Sequence, residues 1–168
     1  MRPIIFDIDR TLLDGMSGYL FASWLIRTRS MPAAGIWRSL RAVALYRLGL
    51  KNKMVIVEAG VTCYAGLSPA QVDALAERAV REVMAPRLYR EALAHIDKHL
   101  AAGDTILLAT GSSEFLARAL ARTVGAHDGM GTASQRDDGR LLPVMVQPPC
   151  VAEGKRDLVL EWLNRRGF

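Results

Sequence analysis

Asp7 and Asp9 stand two residues apart, directly after the apolar run Pro3-Ile4-Ile5, with Thr11 two residues further on. The run from Ile4 to Ile8 reads as a short buried strand, so the two carboxylates sit at its carboxyl end. Successive strand residues point to opposite faces, and Asp7 and Asp9 share a face if the chain past Asp7 stays extended. Two like charges that close repel and raise a carboxyl pKa unless a cation lies between them. The pattern points to a nucleophilic carboxylate, a second carboxyl group for proton transfer, and a bound Mg²⁺.

Two further segments share that chemistry. Thr110-Gly111-Ser112 follows the uncharged run Thr105-Ile106-Leu107-Leu108-Ala109, and Glu153-Gly154-Lys155 opens a helix near the end of the chain. In a parallel α/β sheet, ligands bind outside the carboxyl ends of the strands. A helix N-terminus with Gly and small hydroxyl residues offers free N–H groups to an anion, and a Lys adds a positive charge against phosphate oxygens. A carboxylate can attack phosphorus to form an aspartyl-phosphate, with Mg²⁺ neutralising and orienting the transferred group.

The elements that must hold these residues follow from periodicity. Pro32 and Gly35 break the stretch from Gly15 to Leu50 into two helices. The second is apolar nearly all round, with Arg38 and Arg41 close together and Arg47 opposite Arg38. Packing inside a helical bundle is the expectation, with contact to a lipid or membrane surface as the sharper alternative. Tyr19, Trp24 and Trp37 are accordingly expected in the core of this layer. Ser68-Pro69-Ala70-Gln71 predicts a capping box with Pro at the first helical position, followed by an apolar face at Val72, Leu75, Ala76, Ala79, Val80 and Val83. Pro86 predicts the start of another helix, which Ala102-Gly103-Asp104 ends. Thr105–Ala109 is a second strand, uncharged as in a sheet covered on both faces. Thr110–Ser113 reads as a strand-to-helix turn and Gly129–Ala133 as a third strand. Asp138-Gly139 marks a hairpin turn, and a last helix runs from about Lys155 to Asn164 with Leu158, Val159 and Trp162 inward.

In this order the parts resemble the haloacid dehalogenase-like (HAD) superfamily, subclass I, phosphoserine phosphatase-like branch. The resemblance runs through the whole chain; Leu107–Leu116 and Gly154-Lys155-Arg156 match that branch closely. It implies an α/β fold, a Rossmann-like three-layer parallel sheet core with a helical cap inserted after the first strand. Residues 1–13 and 86–168 would form the discontinuous core and 14–85 the cap. It implies a Mg²⁺-dependent phosphomonoester hydrolase acting through an aspartyl-phosphate on a small phosphorylated substrate. Asp7 would be the nucleophile and Asp9 the general acid and base. Thr110 would hold a phosphoryl oxygen with the Gly111 and Ser112 amides, and Lys155 would pair with the phosphoryl group and Asp7. The Asp7 side chain and Asp9 carbonyl would take Mg²⁺. Asp14 and Ser17 are expected to border the substrate pocket. Phosphatases of phosphatidylglycerophosphate also carry a Thr-Gly-Ser here and an apolar, basic cap, so a lipid-phosphate phosphatase is the alternative within the class. Outside it, the alternative is a phosphate-binding protein without turnover.

The chain departs from the branch in two places. The family usually has Gly after the second Asp, where Arg10 stands. The family also places one or two acidic Mg²⁺ ligands after a further strand, downstream of the lysine helix. Phe168 comes before any such strand, and Asp157 and Glu161 lie on the lysine helix itself. The expectation is therefore a C-terminally truncated piece of a longer phosphatase that lacks the final core strand, with the activity of the 168-residue form left open.

Composition is compatible with these readings. The chain has 168 residues, 51% apolar, with a formal net charge of +5, enough for one good core. Its basic balance suits phosphates, nucleic acid or an anionic membrane surface alike. No recognition helix or aromatic-basic stripe supports nucleic acid. Cys63 and Cys150 fit no zinc spacing or disulfide framework, so a cytoplasmic protein is expected, with neither signal peptide nor membrane span. His95 and His99 lie four apart on a predicted helix but lack a third ligand nearby; His127 reads as a loop residue.

Overall fold

The computed structural model describes residues 1–168. β1 (Pro3–Asp7) pairs in parallel with β2 (Thr105–Ser113), which pairs in parallel with β3 (Asp128–Thr132), in the sheet order β1-β2-β3. The chain forms an α/β fold in which β2 is central. Its Thr105–Thr110 stretch is buried without interruption, which explains why it carries no charge. The register sets Asp7 of β1 level with Ala109 of β2, bringing Asp7 and Thr110 to one end of the sheet. A separate hairpin, β4 (Ser134–Asp137) and β5 (Arg140–Met145), turns through Asp138 and Gly139, both at positive φ.

Between β1 and β2 lie α1 (Ser17–Arg27), α2 (Ala33–Arg47), α3 (Met54–Thr62), α4 (Pro69–Ala79) and α5 (Arg90–Ala101); α6 (Glu114–Val124) and α7 (Ala152–Arg165) follow β2 and β5. The capping box of α4 is formed: the Gln71 amide donates to Ser68 Oγ at 3.3 Å, and the Ser68 amide donates to Gln71 Oε1 at 2.9 Å. One hydrophobic cluster of 24 buried residues runs from Phe21, Trp24 and Tyr64 in the helical layer to Ile106, Leu108 and Leu116 beside the sheet. The helices before β2 thus share a core with the strands. No helix is long and apolar enough to cross a membrane.

The structure corrects several local expectations. α2 does not lie inside a bundle: only Gly35 and Ala42 are buried, while Trp37 is 73% exposed. The reason is close approach. A Cβ on Gly35 would sit 1.8 Å from the Cys63 carbonyl oxygen, so α2 packs through its small residues and its bulky ones face outward. Tyr19 of α1 is exposed as well; of the three aromatics expected in the core, only Trp24 is buried, its indole N–H donating to Glu82 at 2.8 Å.

Pro86 does not open α5. A π-helical turn (Val80–Met84) and a 3-10 turn (Ala85–Arg87) precede it, and α5 starts at Arg90. Residues 87–89 are held extended by pairing with 12–14: the Asp14 amide donates to the Arg87 carbonyl at 2.9 Å and the Tyr89 amide to the Leu12 carbonyl at 3.0 Å. Thr110–Ser113 continues β2 through a register irregularity rather than forming a turn. On α7, Trp162 is buried, whereas Leu158 and Val159 are only half-buried.

The start of β1 is fastened to the α5–β2 turn by buried Asp104. Its carboxylate accepts from His99 Nδ1 at 3.0 Å, from the Arg2 amide at 3.0 Å and from the Arg2 guanidinium at 3.2 Å. The His99 hydrogen bond, then those from Arg2, hold the Asp104 carboxyl well below its ordinary 3.8. A depressed folded-state pKa stabilises the fold above the unfolded value, and that contribution is lost as pH falls through the folded one. Asp104→Asn is therefore expected to destabilise the protein at about pH 5. The gap to wild type should narrow progressively below pH 3.8, as read from urea midpoints at stepped pH.

Candidate functional site

The site gathers at the carboxyl ends of β1 and β2. After Asp7 the chain turns tightly: the Leu12 and Leu13 amides both donate to the Ile8 carbonyl at 3.0 Å, and Ile8, Leu12 and Leu13 are fully buried. This apolar plug leaves Asp7 and Asp9 at the surface of the site. Arg10 follows at φ +61°, its amide donating to the carbonyls of Leu13 and Gly15. The left-handed conformation accounts physically for the preference for Gly at this position.

Each carboxylate has its own partners. Asp7 Oδ1 accepts from Lys155 Nζ at 2.5 Å across 148 positions of sequence, and Asp7 Oδ2 accepts from Thr11 Oγ1 at 3.4 Å. Lys155 Nζ also reaches the Ala109 carbonyl at 3.4 Å, so one ammonium spans both strand ends. Asp9 Oδ2 accepts from Thr110 Oγ1 at 2.6 Å, and Asp9 Oδ1 from the Ser17 amide at 2.5 Å. Thr110 Oγ1 in turn accepts from the Ser112 amide at 3.0 Å. Ser113 closes β2 as the N-cap of α6 and meets the Tyr64 hydroxyl at 2.8 Å. Burial pushes that phenol above its ordinary pKa of 10, so it stays a neutral link between helical layer and strand end. Burial likewise raises the Cys63 thiol to about 12 and that of Cys150 above its ordinary value.

The four residues expected at the centre are thus in contact as two pairs, Asp7 with Lys155 and Asp9 with Thr110, at one end of the sheet, with Gly111 and Ser112 following Thr110. Gly111 makes a close approach: a Cβ there would lie 2.6 Å from Val151 Cγ1, just before α7, so a larger residue would require that side chain to move. Asp14 and Ser17 stand apart from this expectation. Asp14 accepts from the Tyr89 hydroxyl at 3.2 Å. The Ser17 hydroxyl is fully buried and unpartnered, while its amide steadies Asp9. Neither lines the cavity beside the site. His99 bonds Asp104 rather than a metal, and His127 Nδ1 accepts from the Ile106 amide at 3.1 Å.

Sequence reasoning missed the cavity itself. A space of about 480 Å³ opens from Asp9, Gly111 and Ser112 into the helical layer. α1 lines it with Gly18, Tyr19 and Ala22, α2 with Ser39, Ala42 and Val43, and α3 with Ile56, Val57, Ala59 and Gly60; Met16 and Val151 complete it. No single segment signals it, because its walls come from three helices brought together by packing.

For a metal, the available groups are hard oxygens: the Asp7 carboxylate and the Asp9 carbonyl. They suit Mg²⁺ and not a thiolate-seeking ion. No group of three or more Asp, Glu, His or Cys is gathered anywhere in the chain. Mg²⁺ commonly keeps several waters and is held by one or two carboxylates plus substrate phosphate, so these residues fit it as a partial set.

A parallel sheet with paired carboxylates at one strand end, a hydroxyl at the next and a lysine closing across both defines a recurrent class of α/β hydrolases. The family model of the haloacid dehalogenase-like hydrolases matches residues 4–168, and the chain belongs to that family. It is 28% identical over 167 residues to a phosphoserine phosphatase of Mycobacterium tuberculosis, covering 97% of this chain and 54% of that protein. The chain spans about half the length of this and other curated relatives. Among solved structures, a Bordetella pertussis protein of unknown function superposes with a TM-score of 0.83 at 31% identity, over 100% of this chain and 77% of that one. A substrate-bound phosphoserine phosphatase shares the fold, with a TM-score of 0.59 at 14% identity over 99% of this chain and 72% of that one.

Replacing Arg10 by Gly removes the left-handed strain on a side-chain-bearing residue, about 1–2 kcal/mol, and adds back roughly 0.5–1 kcal/mol of unfolded-state entropy. Arg10→Gly is expected to be more stable than wild type by about 0.5–1 kcal/mol, read as a raised urea midpoint with unchanged slope.

Proposed function

We propose that this protein is a Mg²⁺-dependent phosphomonoester hydrolase that works through a phosphorylated Asp7. The observation that carries this reading is the contact of Lys155 with Asp7 and of Thr110 with Asp9 at one sheet end. The helices between residues 14 and 85 act as the cap over that end.

Asp7 has Oδ1 on Lys155 and Oδ2 with only the long Thr11 contact. A carboxylate oxygen of Asp7 attacks phosphorus, and the bond from phosphorus to the alcohol oxygen breaks. Asp9, in its protonated form, gives its proton to that leaving oxygen. Its side chain is held for this task by the Ser17 amide and the Thr110 hydroxyl. The Asp9 carboxylate so formed removes a proton from water, whose oxygen attacks phosphorus. The bond from Asp7 to phosphorus then breaks, releasing inorganic phosphate and restoring both carboxyl groups. Thr110, the Gly111 and Ser112 amides and Lys155 hold the phosphoryl oxygens. Mg²⁺, taken by the Asp7 side chain and the Asp9 carbonyl, supplies charge neutralisation at the phosphoryl group.

Three measurements test this reading with p-nitrophenyl phosphate as substrate. Asp7→Asn should abolish turnover, because an amide cannot form the intermediate. Asp9→Asn should lower kcat by roughly 10²–10⁴-fold, the usual range for a lost proton-transfer group. Chelation with EDTA should stop the reaction and added Mg²⁺ restore it. Full activity in Asp7→Asn would sink the mechanism, and a protein that binds phosphate with no turnover would favour a non-catalytic binding role.

A further inference from the structure

We infer that the site takes phosphomonoesters whose organic part is an uncharged, apolar chain, and that it excludes amino-acid phosphates; this rests on the phosphatase reading above. The juxtaposition that supports it is an apolar cavity joined directly to the phosphate-handling end of the sheet.

Of the fifteen residues lining the 480 Å³ cavity, nine are apolar and Asp9 is the only carboxylate or cation among them. Its volume lies within the range of about 300–1,000 Å³ usual for small-molecule sites. The other polar groups on lining side chains are neutral hydroxyls: Ser112 at the phosphate end, Ser39 of α2, and the phenol of Tyr19 of α1, whose ring counts among the apolar nine. An amino-acid phosphate brings a carboxylate and an ammonium, each costly to bury without a partner. The cavity offers the carboxylate no cation. Arg38 and Arg41 of α2 line instead an adjoining cavity that shares Ala42 and Ala59 with this one and also holds Glu58, and Arg38 donates to the Thr62 carbonyl at 3.1 Å.

The path to solvent is apolar too. Met16, Val43 and Ile56 line the cavity and are themselves 47%, 42% and 37% exposed. Gly60 of α3 faces the space, and a Cβ there would meet no atom within 4 Å. Side chains can therefore be grown into the cavity from a helical position with no backbone strain.

The test is calorimetric titration, in Mg²⁺ buffer, of wild type and Gly60→Leu with n-alkylphosphonates from ethyl to octyl, with inorganic phosphate, and with the phosphonate analogue of phosphoserine. In wild type, affinity should rise roughly fourfold per added methylene until the cavity is filled, and the phosphoserine analogue should bind no tighter than ethylphosphonate. In Gly60→Leu the preference for octyl over ethyl should collapse. Equal affinity along the alkyl series, or tightest binding of the phosphoserine analogue, would overturn the inference while leaving the phosphatase reading intact. Failure of every ligand to bind, inorganic phosphate included, would overturn both.

Discussion

Two carboxylates must be held at one strand end without their charges driving the chain apart, and the rest of the structure is arranged around that requirement. The fold answers by giving each carboxylate a different set of donors. Asp7 meets the Lys155 ammonium, brought from the far end of the sequence by α7, and Asp9 meets a hydroxyl from β2 and an amide from the start of α1. The first arrangement leaves one carboxylate oxygen of Asp7 with only a long contact; the second fixes both oxygens of Asp9. The pair is thereby made unequal, which suits the proposed attack by one and proton transfer by the other.

That inequality depends on register and packing away from the site. β1 and β2 must run in parallel with Asp7 beside Ala109 for Lys155 to touch both ends. The plug of Ile8, Leu12 and Leu13 turns the chain so that Asp9 faces Thr110, and the pairing of residues 12–14 with 87–89 brings the chain back after the helical layer. Gly111 lets Val151 approach closely enough for α7 to start where Lys155 can reach. The same helical layer encloses the apolar cavity, so the charged strand end and the cavity meet at Asp9, Gly111 and Ser112.

Much of this was legible in the sequence, because charge placement and strand hydrophobicity are local signals. Asp7 and Asp9 stand out by type and position after an apolar strand, as do the uncharged β2, the capping box at Ser68 and the Asp138-Gly139 turn; Thr110 and Lys155 are weak signals singly and stand out only through their order along the chain and the family resemblance. What stayed hidden depends on partners distant in sequence. The Ser17 amide is a backbone donor, blind to residue type. The outward turn of Trp37 follows from the contact of Gly35 with Cys63, and the late start of α5 from strand-like pairing with residues 12–14. The cavity is built from three helices, and its apolar lining looks in sequence like ordinary core.

The central claim is that Asp7 becomes covalently phosphorylated during turnover. The most direct measurement is acid quenching of the enzyme during reaction with a radiolabelled phosphomonoester, followed by borohydride reduction and peptide mapping by mass spectrometry. The account predicts label that is lost on borohydride treatment, with Asp7 converted to homoserine and Asp9 unmodified. Steady release of phosphate with no trapped label, or with reduction at any residue other than Asp7, would contradict it.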